Sequence, residues 1–403
     1  MKSSIPIVFS ALVLAGGAAL IADQLEDTLY VPLDHKAIRY EQAATTDPVA
    51  LLEKRLEKGE VKLAYDPRWG YLPALLKQFG IRADSQLLVY SPTSLQARLI
   101  SRHSPRALYF NDSVAVGFVH TSDVLELASF DPRNGVIFYT LDSDETAKPS
   151  FGRRDDCLRC HQGPQTLGVP GLMISSVIGS QNSPHGSAYE TDQRVAFEKR
   201  WGGWFVTGVP VGLKHLGASI PEDAAEGFDP AAFLAPTSDV VALMTLEHQA
   251  RMANLITRIG WDTRIAEADG KLESSKQDLD FDYSEMVEYM MFADEVPLPR
   301  PIAGDSAYAK SFAQLGPRDK QGRSLRDFDL KTHVFRYPLS YMIYSEAFDT
   351  LPALAKDQIY RRVYDVLTGK NTDEHYAGIS AADRQAVIQI VAGTKSDLPP
   401  YWK

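Results

Sequence analysis

Cysteine is nearly missing from this 403-residue chain: there are two, Cys157 and Cys160. So close together, they cannot staple distant segments, and the fold must be held by packing or by a bound group. Sustained runs of Lys or Arg are missing too. With 42 Lys and Arg against 52 Asp and Glu, the net charge is −10. That argues against a nucleic-acid groove or a polybasic membrane patch and leaves docking to a basic partner open. Beyond residue 22 no stretch is long and apolar enough to cross a bilayer. Internal repeats, low-complexity tracts, a phosphate-cradling loop, a G-x-S-x-G elbow and an H-E-x-x-H helix are all lacking. The rest of the composition is ordinary, 44% hydrophobic and 23% charged, which argues against disorder, collagen and coiled coil. A chain of this length can bury a substantial core, as one large domain or two to three smaller ones.

Residues 1–22 carry one charge, Lys2, followed by an apolar run from Ile5 to Ala22. A short positive region before such a run is what an export signal needs. Gly16 to Ala19 offer small residues for cleavage, although no clean A-x-A is present. An uncleaved anchor is the second reading and a buried helix the third. Residues 23–75 read as a connector and then a helix, DPVALLEKRLEKG. Residues 76–235 form a β-rich part, with LLVYS, RALYF, VAVGFVH, VLELASF and GVIFYTL as strands and DPRNG as a hairpin turn. MISSVIG and WGGWFVTGV are expected to return to the sheet. Residues 236–403 turn helical: a segment capped by Ser238 or Asp239 runs to Ile259, ended by Gly260, and four amphipathic helices follow PLPRPI. The fold class is α+β, with the helix-dominated region packing on the β-rich one.

The chemistry lies in Cys157-Leu158-Arg159-Cys160-His161, a CxxCH box. Two thiols at this spacing can bond the two vinyl groups of one haem, and the next residue can bring its imidazole under the iron. Rival readings exist. A thiol–disulfide oxidoreductase would use the same pair, but wants it at a helix N-terminus after a buried strand, and polar FGRRDD precedes this one. A zinc knuckle needs a fourth ligand and usually a second Cys pair. Chance or purely structural cysteines are the bland reading. Through the five residues of the box and the export signal, the chain resembles the c-type cytochromes, though not their small helical domain. Segments such as RWGGWFVTG, LEHQARMANLITR and FRYPLSYMIYSEAF resemble large, poorly characterised exported bacterial proteins with CxxCH sites. The resemblance implies one covalent haem c on Cys157 and Cys160, with His161 as proximal iron ligand.

The sixth ligand decides what such a centre does. His248 lies on an apolar helical stripe with Met244, Met252, Leu255 and Ile259, and is set against the reading of a hydrogen-bonded core histidine. His215, in the loop KHLGAS, is its rival, and Met173 is a weaker thioether candidate. His120, His185 and His333 stand in reserve; His35, His103 and His375 read as solvated. Arg153 and Arg154 could pair with haem propionates or simply be solvated. Trp201, Trp204 and Phe205 could wall a porphyrin or be plain core. Pro164 or Pro170 could offer a carbonyl to the second nitrogen of His161.

The expected work is electron transfer in the periplasm or cell envelope, with a redox partner protein or small-molecule donor or acceptor and no nucleic acid. The alternative is a haem enzyme, peroxidase- or oxidoreductase-like, with an open sixth site. Thiol–disulfide exchange is the third reading.

Overall fold

A computed structural model describes residues 30–120, 122–145, 148–178, 187–220 and 228–402. The expected export signal or anchor and His185 lie outside the described residues.

Among the described residues two helices come first, α1 (Pro48–Glu57) and α2 (Leu72–Phe79). The β-branched and aromatic runs then build β1 (Leu87–Val89), β2 (Arg106–Phe110), β3 (Val114–Phe118), β4 (Val124–Asp131), β5 (Gly135–Asp142) and β6 (Phe151–Arg153). Each is antiparallel to the one before it. The DPRNG turn closes β4 on β5 as expected. Asp131 Oδ1 accepts the amides of Arg133 and Asn134 at 3.0 and 2.9 Å, and Gly135 takes φ +77°, a left-handed conformation that side chains disfavour.

After β6 comes a one-turn helix, α3 (Leu158–His161). Next are β7 (Ser175–Ile178), β8 (Ser187–Glu190) and β9 (Trp204–Phe205). β9 completes a seven-stranded sheet in the order β6-β5-β4-β3-β2-β1-β9. The WGGWFVTGV segment therefore returns to the sheet. MISSVIG does not, because β7 pairs with β8 in a separate two-stranded sheet.

Strand alternation gives the large sheet two unlike faces. The back, with Tyr109, Val116 and Leu127, packs on α1 and α2 in one hydrophobic core. Asp47 ties them together: one carboxylate oxygen caps α1 by accepting from Val49 and Ala50, and the other accepts from the Tyr139 hydroxyl at 2.9 Å. The front carries Leu108, Ala115, Gly117, Glu126, Ala128 and Phe138 on adjacent strands. Over it lies the helical region, which holds a second core.

That region comprises α4 (Val240–Ala268), α5 (Lys276–Met290), α6 (Tyr308–Ala313), α7 (Glu346–Asp349), α8 (Ala353–Leu367) and α9 (Ala381–Thr394). Asp239 caps α4, accepting from the Val241 amide at 2.7 Å. The helix runs through Gly260, where it was expected to stop. Leu351 Cδ2 would sit 3.3 Å from a Cβ at that position, so this glycine serves close packing. Of the 29 residues of α4, 22 are buried; it is a central helix and not a one-faced one. YPLSYMIYSEAF, expected as one helix, is a 3₁₀ turn at Tyr341–Tyr344 followed by α7. Ser340 and Ser345 cap each piece, accepting from Met342 and Phe348, and so divide it. Among the described residues no helix is long and apolar enough to cross a membrane.

Candidate functional site

Beyond β6 the chain is tied back to the sheet by the Arg154 amide, which donates to the Phe138 carbonyl at 2.9 Å. A 3₁₀ turn at Asp155–Cys157 then leads into α3. Residues three and four apart share a helical face, so Cys157, Cys160 and His161 point the same way. All three line one cavity of about 710 Å³, a volume in the range of cofactor and small-ligand sites.

His161 is held from two sides. Its ring packs on Phe138 with centroids 4.7 Å apart, and Nδ1 lies 3.0 Å from the Gly171 carbonyl. That carbonyl needs a donor, so Nδ1 carries the proton and Nε2 keeps its lone pair. Burial pushes the imidazole below its ordinary pKa, partly offset by the Gly171 carbonyl, and keeps it neutral. The acceptor is thus Gly171, not Pro164 or Pro170; the Pro170 carbonyl is occupied by the Val136 amide at 3.0 Å.

Asn254 of α4 locks this segment. Its Oδ1 accepts the Leu172 amide at 3.1 Å and its Nδ2 donates to the Leu172 carbonyl at 2.7 Å. A Cβ on residue 171 would lie 2.1 Å from that Oδ1, so glycine is required.

The cavity floor is the front of the sheet, where Ala115, Gly117 and Ala128 leave room beside Leu108 and Phe138. Trp204 and Leu246 of α4 also line it, and the Trp204 indole donates to the Ser175 carbonyl at 2.9 Å. One ion pair interrupts the apolar wall: Arg106 Nη1 and Glu126 Oε2, 2.9 Å apart, reaching across Gly117. Arg106 Nε and Glu126 Oε1 are buried without hydrogen-bond partners among the described residues. Neither residue was singled out in the sequence. The signal was there, in R-x-L-x-F and E-x-A, charges on the face that strand alternation turns inward.

Burial, and next the Asp156 carboxylate, push Cys157 up to about 11, whereas exchange needs a readily formed thiolate. A zinc knuckle needs converging ligands. The group of His, Cys and acidic side chains that does converge among the described residues is Glu288, Asp294 and His375, remote in sequence from the box.

Several candidates lie away from the cavity. His248 is buried on α4 with both nitrogens occupied, Nδ1 by Gln193 Oε1 and Nε2 by Ser340 Oγ, each at 2.7 Å. It stacks on Phe292 and Tyr289 and is off the cavity wall, a satisfied core histidine. His215 is off the wall as well, edge-on to Trp201 and Phe197. His120 is exposed, and His333 pairs with Glu295 at the surface. His35 sits near Asp269, while His103 and His375 are exposed. Arg153 is taken by Asp155 and the Tyr40 carbonyl, and Arg154 by Asp156; the arginine that lines the cavity is Arg106. Trp201 is core, donating to Glu247 at 2.9 Å, and Phe205 packs behind the sheet on Tyr90 and Phe228. Met173 does line the cavity, where it is the one thioether and His161 the one imidazole among the described lining residues.

Against known proteins the chain finds no counterpart: no family model, no curated protein and no solved structure matches it.

Proposed function

We propose that this chain carries one covalent haem c and works in electron transfer in the bacterial envelope. The observation that carries the reading is the box itself, with Cys157, Cys160 and His161 side by side on the wall of one apolar cavity of about 710 Å³. The residues fit the group. Two thiols would hold its vinyl edge, and the neutral His161 ring, steered by the Gly171 carbonyl, would offer Nε2 to the iron. Met173 is the thioether at hand for the sixth position. Arg106, with an unpaired Nε, would meet the carboxylate edge. Bound haem supplies a one-electron centre; the chain's part is to orient it and to keep water out. Export rests on Lys2 and the apolar run to Ala22, since thioether attachment belongs outside the bacterial cytoplasm.

One observation favours the alternative of a haem enzyme. The orphan donor of Arg106 and orphan acceptor of Glu126 are groups that a small polar substrate could satisfy.

The test is a spectrum of protein made with a haem-maturation system. Colour that survives acid–acetone extraction, and a haem mass increment lost in Cys157→Ala/Cys160→Ala, are expected. A low-spin spectrum that turns high-spin in Met173→Ala supports electron transfer; a high-spin wild type supports the enzyme. Haem that extracts cleanly overturns both.

A further inference from the structure

From Ser85 to Asn111 the chain contains no Asp or Glu, although the molecule carries ten more acids than bases. The middle of that stretch, residues 91–105, joins β1 to β2 and is irregular. Its first five residues, Ser91 to Leu95, line the cavity, and Gln96 Nε2 pins it to the Val124 carbonyl at 3.3 Å. Beyond that anchor Arg98, Leu99, Arg102 and His103 stand in solvent. Leu95 and Leu99 are 54% and 41% exposed. Among the described residues, neither Arg98 nor Arg102 has a carboxylate partner. Arg102 is held over the Tyr90 and Phe205 rings at 5.0 and 6.0 Å, so its charge is fixed in position. Cys160 and Arg159 are exposed on the box side of the cavity.

We propose that the 91–105 loop is the docking surface for a redox protein with an acidic face, an inference that rests on the haem reading above. Two exposed leucines interleaved with two arginines that have no carboxylate partner among the described residues give the apolar and charged parts of an interface. On a molecule of net charge −10, such a positive patch attracts an acidic protein that the net charge repels, and so orients its approach. A second copy of the chain fits poorly, because two such loops would set like charges against each other. Docked over these strand ends, with Arg102 reaching from behind the sheet and Ser91 to Leu95 at the cavity, the partner would stand beside the cavity and exchange one electron with the group inside, one centre oxidised as the other is reduced.

The experiment titrates the full-length, haem-loaded protein with a plant-type [2Fe–2S] ferredoxin, which is strongly acidic, and with a basic mitochondrial-type cytochrome c. Association is followed by calorimetry at low and high salt. Ferredoxin should bind at low salt and weaken on the order of tenfold at high salt. Arg98→Glu/Arg102→Glu should abolish that binding with haem content and spectrum unchanged, and Leu95→Ser should weaken it at both salts. Binding of the cytochrome in place of ferredoxin, or ferredoxin binding untouched by the charge reversal, overturns the proposal. A preparation without covalent haem overturns the function reading and this inference together; intact haem with no ferredoxin binding overturns this inference alone.

Discussion

Gly171 has to be glycine because of Asn254, and Asn254 has to be there because both backbone groups of Leu172 are turned towards it. The carbonyl that orients His161 is therefore set from a helix more than eighty positions further along the chain. Asn254→Ala would leave those two groups unpaired, and a loss of about 1–3 kcal/mol in urea unfolding is expected; a loss below about 0.5 kcal/mol would mean the clamp is idle. His248 makes a different demand. Burial depresses its pKa from 6.5 to about 3, so the folded state needs it neutral. Its contribution is whole above pH 6.5 and drains away as pH falls towards 3, by up to about 1.4 kcal/mol per pH unit. Half-buried Glu190 and Asp282 are raised to about 7 by desolvation and act in the opposite sense, gaining stability as pH falls from there. The wild-type profile thus mixes both signs, and comparison with His248→Gln isolates one. The variant should be less stable at neutral pH, with the gap closing below pH 6. A gap that stays constant would show that His248 does not titrate in this window. The same residue shows where reading by periodicity stops. Its stripe correctly turned it inward, but Gln193 and Ser340, 55 and 92 positions away, leave no mark near position 248. The box was legible because its three side chains are neighbours in the chain.

Among the elements, β3 matters most to the cavity. Ala115 and Gly117 are small on the front, while Val114, Val116 and Phe118 are large and buried on the back. An added Cβ at Gly117 would touch Arg106 Cδ and Glu126 Cβ at an ordinary 3.5 Å, and the backbone there has no positive φ. Gly117→Val should therefore keep the apo fold within about 1 kcal/mol, helped by its β propensity, yet cut haem content, read as the ratio of haem to protein. Equal haem content in that variant would put the group elsewhere. The strands were legible because alternation and turn residues agreed, from RALYF to GVIFYTL. Helix α5 was not: its Leu279, Tyr283, Met286, Val287 and Met290 are buried, but Asp and Glu crowd between them and mask the stripe. The stop expected at Gly260 failed because a helix end and a close helix contact both call for glycine, and only the neighbouring Leu351 tells them apart.

For the whole molecule, two cores meet at the sheet and no disulfide joins them, since Cys157 and Cys160 are free thiols. Apo wild type and apo Cys157→Ala/Cys160→Ala should unfold at the same urea concentration, with or without reductant; a midpoint lowered by reductant would reveal a cross-link. The loaded protein should unfold later than either, because a group bound only by the folded state stabilises it. The α+β plan was legible from the change of texture near residue 236, but how the halves meet depends on β9, two residues long. That pairing has a consequence for assembly. Strands β1 to β6 pair in chain order, so loop closure costs them little, whereas β1 must wait for β9 across roughly a hundred residues. As the chain emerges from its N-terminus, the sheet front and the two thiols of the box can be in place before Trp204 or α4 arrives to set the His161 ring. What ends as a walled cavity starts as an open groove, and a broad flat guest can be seated sideways before the last wall arrives.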